Sequence, residues 1–137
     1  PLPLPVQGLV AAVLCDVPLL AAPPEHNKLA WDDDKRLYRL DFGAPTALWQ
    51  QVYVDPVTRR VVGAVWFFAN DRLASLQYDG AAVGGLPKTL RVKMTKPAAD
   101  LTLELRDVVA DQPIDPAVYA VQCPTGTRTV DLPCDSE

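Results

Sequence analysis

From residue 36 to residue 109 the chain falls into apolar-rich segments of seven to ten residues, each closed by a turn signal. They run Arg36–Phe42, Leu48–Val54, Val61–Ala69, Arg72–Asp79, Thr89–Lys96 and Asp100–Val109. Their richness in Val, Leu, Thr and aromatic residues predicts about six β-strands. The links between them (GAPT, DPVTRR, ND, DGAAVGGLP and PAA) span two to nine residues. Links this short leave no room for a parallel crossover, so the strands form an antiparallel meander. In Thr89–Lys96, Leu90, Val92 and Met94 alternate with Arg91, Lys93 and Thr95; in Asp100–Arg106, Leu101, Leu103 and Leu105 alternate with Thr102, Glu104 and Arg106. Each of these strands therefore has one apolar and one polar face.

Val61–Ala69 breaks the alternation. Val62, Ala64, Trp66 and Phe68 read as one face and Val61, Val65 and Phe67 as the other. A strand apolar on both sides is covered on both, which fits plain core, a strand backed by a second chain, or the wall of an apolar cavity. Upstream the period changes. Val6, Leu9, Val10, Val13 and Leu14 recur at three- and four-residue steps, predicting one short helix from Val6 to Cys15 after an extended PLPLP and before the breakers VPLL and Pro23-Pro24. Residues 21–35 carry Pro, Asn and an acidic run and read as a loop. Asp115–Tyr119 reads as one helical turn, with Asp115 as N-cap and Pro116 at the first helical position. Residues 123–137 form a terminal loop. The expected fold is thus mainly β (α+β), an antiparallel meander with one short helix, in a single domain spanning residues 1–137.

Composition narrows the function by exclusion. Thirteen Lys and Arg against 17 Asp and Glu give a net charge of −4, which lacks the basic footprint of a nucleic-acid binder. With 49% apolar and 22% charged residues the chain is too hydrophobic for disorder, and no apolar run reaches the length of a membrane span. His26 is the sole imidazole, beside Glu25 in a Pro-rich loop, and Ser75 and Ser136 have no G-x-S-x-G surround. Asp32, Asp33 and Asp34 lack the alternating oxygen ligands of a calcium loop and read as an exposed acidic turn. Gly80, Gly84 and Gly85 have no following helix or Lys for cradling phosphate, and neither Asp55 with Asp79 nor Glu104 has a spacing that pairs carboxylates. No metal signature is present, so neither a cofactor nor an enzymatic reaction is expected.

Three cysteines bear on compartment. Cys123 and Cys134 flank QCPTGTRTVDLPC, a loop that a disulfide can close with a gain of ~3 kcal/mol. The alternative is a pair of free thiols near a terminus. Cys15 ends the apolar stretch GLVAAVLC, but no Lys or Arg precedes it and Leu14 stands where a lipidation signal needs a small residue. It reads as a buried helix cysteine.

The order of features from Leu48 onward carries a resemblance: a D-P turn in VYVDPVTRRVV, the hairpin FFANDRLASLQYDG, a Gly-Gly-x-Pro loop in VGGLPKTLRVKMTKP, and the closing DVVADQPIDPAVYAV with Ile114-Asp115 and Tyr119. This order resembles the second half of the bacterial outer-membrane lipoprotein carrier family, the LolA/LolB-like fold, and LPLPVQGLVAAVL fits the point where that family enters a short helix. The resemblance implies an incomplete antiparallel barrel that wraps an apolar concavity under a helical lid and binds acyl chains without bond chemistry. It implies a ligand-binding role for Trp66, Phe68, Tyr78, Leu90, Val92, Met94, Leu101, Leu103 and Leu105. It also implies an exported protein, periplasmic or outer-membrane-associated, whose partner is an acyl chain or a lipoprotein. The family's first helix and first strands have no counterpart here, so the half-barrel is expected to be completed by the rest of a longer chain or by a second protein chain, or else to close as a small sheet. The alternative to a carrier is a structural or interaction subunit of an envelope or surface assembly that binds another chain through its open edge.

Overall fold

A computed structural model describes residues 6–80, 86–109, 113–119 and 125–126. Seven antiparallel strands form one open sheet in strict chain order: β1 Lys28–Asp32, β2 Leu37–Phe42, β3 Leu48–Val54, β4 Val61–Phe68, β5 Asp71–Asp79, β6 Thr89–Thr95 and β7 Ala98–Glu104. The mainly-β antiparallel meander expected from the pattern is what the chain forms, open and half-barrel-like, with one more strand than the pattern gave. The extra strand is β1, inside the segment 21–35 that composition marks as loop. Lys28 to Asp32 is too short and too polar at its ends to signal by itself, and its full pairing with β2, Lys28 opposite Asp41 through Asp32 opposite Leu37, makes it a strand. Asp32 then serves the turn: its carboxylate accepts the Lys35 backbone N–H and the Lys35 Nζ, both at 2.9 Å. Those hydrogen bonds hold its acidity well above that of an ordinary Asp.

The helix α1 spans Val6–Val13. It closes in a Schellman arrangement, with the Asp16 N–H donating to the Ala11 carbonyl at 2.9 Å and the Cys15 N–H to the Ala12 carbonyl at 3.1 Å. Cys15, expected as a buried residue of the helix, instead lies just past its end and is half-buried, because it supplies the left-handed residue of this cap, φ +62°. The helical turn near the other end is a 3-10 turn over Pro116–Tyr119, where Asp115 Oδ1 accepts the Ala117 N–H at 2.9 Å, the capping role its sequence position predicts. Cys123, Cys134, Gly84 and Gly85 lie outside the described residues.

Register sorts the strands into two faces. One residue from each strand forms a central row, Leu29, Leu40, Val52, Ala64, Leu76, Val92 and Leu101, and all seven are apolar. The matching row on the other face reads Ala30, Arg39, Tyr53, Gly63, Gln77, Arg91 and Thr102. The core lies between the apolar face and α1: Ala12 and Val17 pack with Val52, Ala64, Trp66, Ala74, Leu76, Tyr78, Leu90 and Val92.

The doubly apolar strand finds its explanation here. A register shift between Tyr53 and Val54 leaves Val62 as the extra residue and returns Val61 to the side of Val54. On the polar face, Phe67 stacks on Trp49 with ring centroids 4.4 Å apart, and Trp49 Nε1 donates to the Ala69 carbonyl at 2.7 Å. The second apolar side of β4 is thus covered by its own hairpin neighbour. Gly63 stands where two strands approach closely: a Cβ there would lie 2.9 Å from the Leu76 carbonyl oxygen. G63A must displace β4 from β5, and a loss of about 1–3 kcal/mol is expected in urea unfolding.

Candidate functional site

The apolar face is longer than its cover. Along the central row, Val52, Ala64, Leu76 and Val92 are buried beneath α1, while Leu29 at one margin is 65% exposed and Leu101 at the other is 40% exposed. The next row adds Trp31 and Tyr38, which meet edge-on with centroids 5.2 Å apart, and Val54 beside them. Leu48 and Phe68, paired across β3 and β4, are also exposed. At strand spacings of ~4.8 Å the apolar row runs almost 30 Å, more than twice the width of the one α-helix that lies across it among the described residues.

Two side chains fix α1 and the segment after it on this face. Tyr78 donates its Oη to the Ala12 carbonyl at 2.7 Å, and burial, with Cys15 and Asp16 nearby, keeps the phenol protonated far above its ordinary range. Gln50, fully buried on an otherwise apolar row, accepts the Leu20 N–H at 2.8 Å and donates to the Pro18 carbonyl at 2.9 Å. A polar residue there is explained by the backbone it satisfies.

Beyond the C-terminal end of α1 a cavity of about 910 Å³ opens, bordered by Cys15, Val61, Val62, Tyr78, Leu86 and Pro87, with the DPVTRR turn at its mouth. The turn is held by Asp55, whose Oδ1 accepts the backbone N–H groups of Val57 at 2.9 Å and Thr58 at 2.6 Å. These hydrogen bonds, led by Thr58, keep the Asp55 carboxyl ionised below its usual range. Arg59 and Arg60 also border the cavity. Burial raises the Cys15 thiol pKa, against a smaller opposing pull from Arg60, so it stays a neutral lining group at physiological pH.

The residues singled out by sequence divide into three kinds of place. Trp66, Tyr78, Leu90 and Val92 are buried beneath or beside α1, and of these Tyr78 also borders the cavity. Met94, Leu103 and Leu105 are half-buried, and the Leu105 N–H donates to the Lys88 carbonyl at 2.9 Å. Phe68 and Leu101 are exposed at the margins. Sequence reasoning missed Leu29, Trp31, Val61 and Val62. The first two lie on β1, where the alternation of K-L-A-W-D is too short to specify a strand by itself. The other two are placed by a bulge that no alternation rule anticipates.

The polar face carries a smaller opening of about 350 Å³, bordered by Lys35, Tyr53, Gly63, Val65, Ser75 and Gln77. Lys35 lies over the Tyr53 ring, Tyr53 Oη donates to Gln51 Oε1 at 2.9 Å, Gln51 Nε2 donates to Asp41 Oδ1 at 3.1 Å, and Arg39 Nη2 donates to Asp41 Oδ2 at 3.1 Å. These groups link in a chain, and Arg39 Nε, buried without a hydrogen bond, lies 2.9 Å from Asp41 Oδ1 as an ion pair. His26 is exposed in a 3-10 turn just before β1. Among the described residues no three His, Cys, Asp or Glu side chains gather as metal ligands, and no helix is long and apolar enough to cross a membrane. No protein-family model, curated protein or solved structure matches the chain.

Proposed function

We propose that the protein is a non-enzymatic carrier that holds a lipid acyl chain, free or borne by a lipoprotein, on the uncovered part of its apolar sheet face. The observation that carries this reading is the central row of seven apolar residues, buried in the middle and open at both margins. The cavity beside α1 supports it, since 910 Å³ is within the roughly 300–1,000 Å³ range of small-molecule sites. Val61, Val62, Tyr78, Leu86 and Pro87 would take one end of the chain, and the Val54, Tyr38 and Trp31 row its continuation toward β1. At ~0.8 kcal/mol per methylene, burying a sixteen-carbon chain contributes on the order of 10 kcal/mol before ordering costs, enough for reversible capture without a covalent bond. Such a carrier works in the periplasm or at the outer membrane, which also suits the resemblance of its strand order to lipoprotein carriers.

The test is titration with an environment-sensitive fluorescent fatty acid of sixteen carbons. Saturable micromolar binding is expected, weakened at least ~10-fold by V61E, which sets a carboxylate in the apolar wall. Circular dichroism of V61E should match the parent. Absence of saturable binding to the parent protein would sink the reading, and so would a folded V61E that binds as well as the parent.

A further inference from the structure

We propose that the protein forms a two-fold dimer in which β1 pairs antiparallel with β1 of a second copy, in the register that sets Ala30 opposite Ala30. β1 is a sheet edge, and among the described residues its outer side has no partner strand. An unpaired edge of this kind is a template for strand addition unless its side chains forbid it.

The side chains of β1 favour one partner, itself. Its sequence is Lys28-Leu29-Ala30-Trp31-Asp32. Antiparallel pairing about Ala30 puts Lys28 opposite Asp32 of the second copy and Leu29 opposite Trp31, each pair occurring twice by symmetry. The faces agree as well. Leu29 and Trp31 lie on the apolar face with Leu40 and Tyr38, whereas Lys28 and Ala30 lie on the polar face with Asp41 and Arg39. The two-fold therefore joins apolar face to apolar face and adds cover to Leu29 and Trp31, both largely exposed in the single chain. The flanks extend the match, because His26 and Asn27 precede the strand and Asp33 and Asp34 follow it.

The opposite edge shows the contrast. β7 carries Asp100 and Glu104 and no cation within the strand, these carboxylates being paired to Lys93 and Arg106 outside it, so pairing with itself offers no opposite-charge match of the kind β1 has. Joining β1 to β7 of another copy with apolar faces aligned is parallel, since strands one and seven of an antiparallel order run the same way, and it propagates a row of copies instead of closing. Pairing β1 with β1 closes and leaves only the acidic β7 edges outside.

Sedimentation equilibrium of the full chain without added lipid tests this directly. A reversible monomer–dimer equilibrium is expected, with K28E and D32K each weakening the dimer about tenfold by setting like charges opposite one another at two places. An equimolar mixture of K28E and D32K should recover the parent's dimer, because both pairs are then of opposite charge; recovery also shows that both variants fold. A30C gives a second, charge-independent measurement: partners on the two-fold have Cα atoms ~4.5–5.5 Å apart, so mild oxidation should yield a covalent dimer mapped to position 30, which L101C should not. A strictly monomeric parent, a dimer insensitive to both charge changes and to mixing, or an A30C protein that does not cross-link would each overturn the proposal.

Discussion

Replacing Gln50 with leucine is expected to cost about 2–4 kcal/mol of folding stability, an unusually large effect for an exchange of similar volume. Gln50 is 0% exposed, and both ends of its amide are committed to backbone of the segment that follows α1, the Leu20 N–H at 2.8 Å and the Pro18 carbonyl at 2.9 Å. Leucine fills the space but satisfies neither group. The segment then either keeps two unpaired polar groups against the sheet or swings out and uncovers the core beside Val17. Hydrogen exchange separates these from global weakening: the Leu20 amide should lose its protection well before the amides of β3 and β4. Q50E should be worse still, since a carboxylate cannot donate to Pro18 and would carry charge into a dry site. A Q50L protein as stable as the parent in urea would show that this clamp does not hold the segment.

The second large effect is expected at Leu90. Its side chain is 1% exposed, in the row between Tyr78 and Leu103, and L90A should lower stability by about 3 kcal/mol. The comparison that gives this number meaning is L29A on the same face, where a residue 65% exposed should cost well under 1 kcal/mol in dilute monomer. A truncated side chain that faced open cavity would lose few contacts, so a large loss at Leu90 identifies the centre of the face as filled core. The proposed acyl-binding surface would then belong to the margins and to the cavity beside Cys15. Equal, small losses at Leu90 and Leu29 would instead mean that α1 does not pack on the sheet as described.

These two predictions locate where the uncovered apolar surface begins. The helix is held by hydrogen bonds from single side chains, Tyr78 to Ala12 and Gln50 to the following segment, and not by a broad interlocking face. The proposed lipid capture at the margins and the proposed strand pairing at β1 would draw on neighbouring parts of the same exposed surface, Trp31 and Tyr38 above all. Fatty-acid titration of K28E, whose dimer is weakened while its apolar face is untouched, measures how far the two compete.

Period-two alternation with short, turn-rich links was enough to determine six of the seven strands, their antiparallel order and the apolar side of β6 and β7, because such links leave the chain no other way to pair its strands. The short helix and the capped turn at Asp115 were legible for the same local reason. Three things were decided only in the tertiary structure. β1 is a strand because β2 offers it five partners; its own residues are too few and too charged to specify one. The faces of β4 depend on a bulge at Tyr53 and Val54, a one-residue offset that exists only between two paired strands. Which apolar residues became core and which stayed open depended on where α1 came to rest, through contacts such as Tyr78 with Ala12 across 66 positions of sequence. Alternation specifies that a face is apolar, and only the cover that tertiary packing provides divides that face into interior and surface.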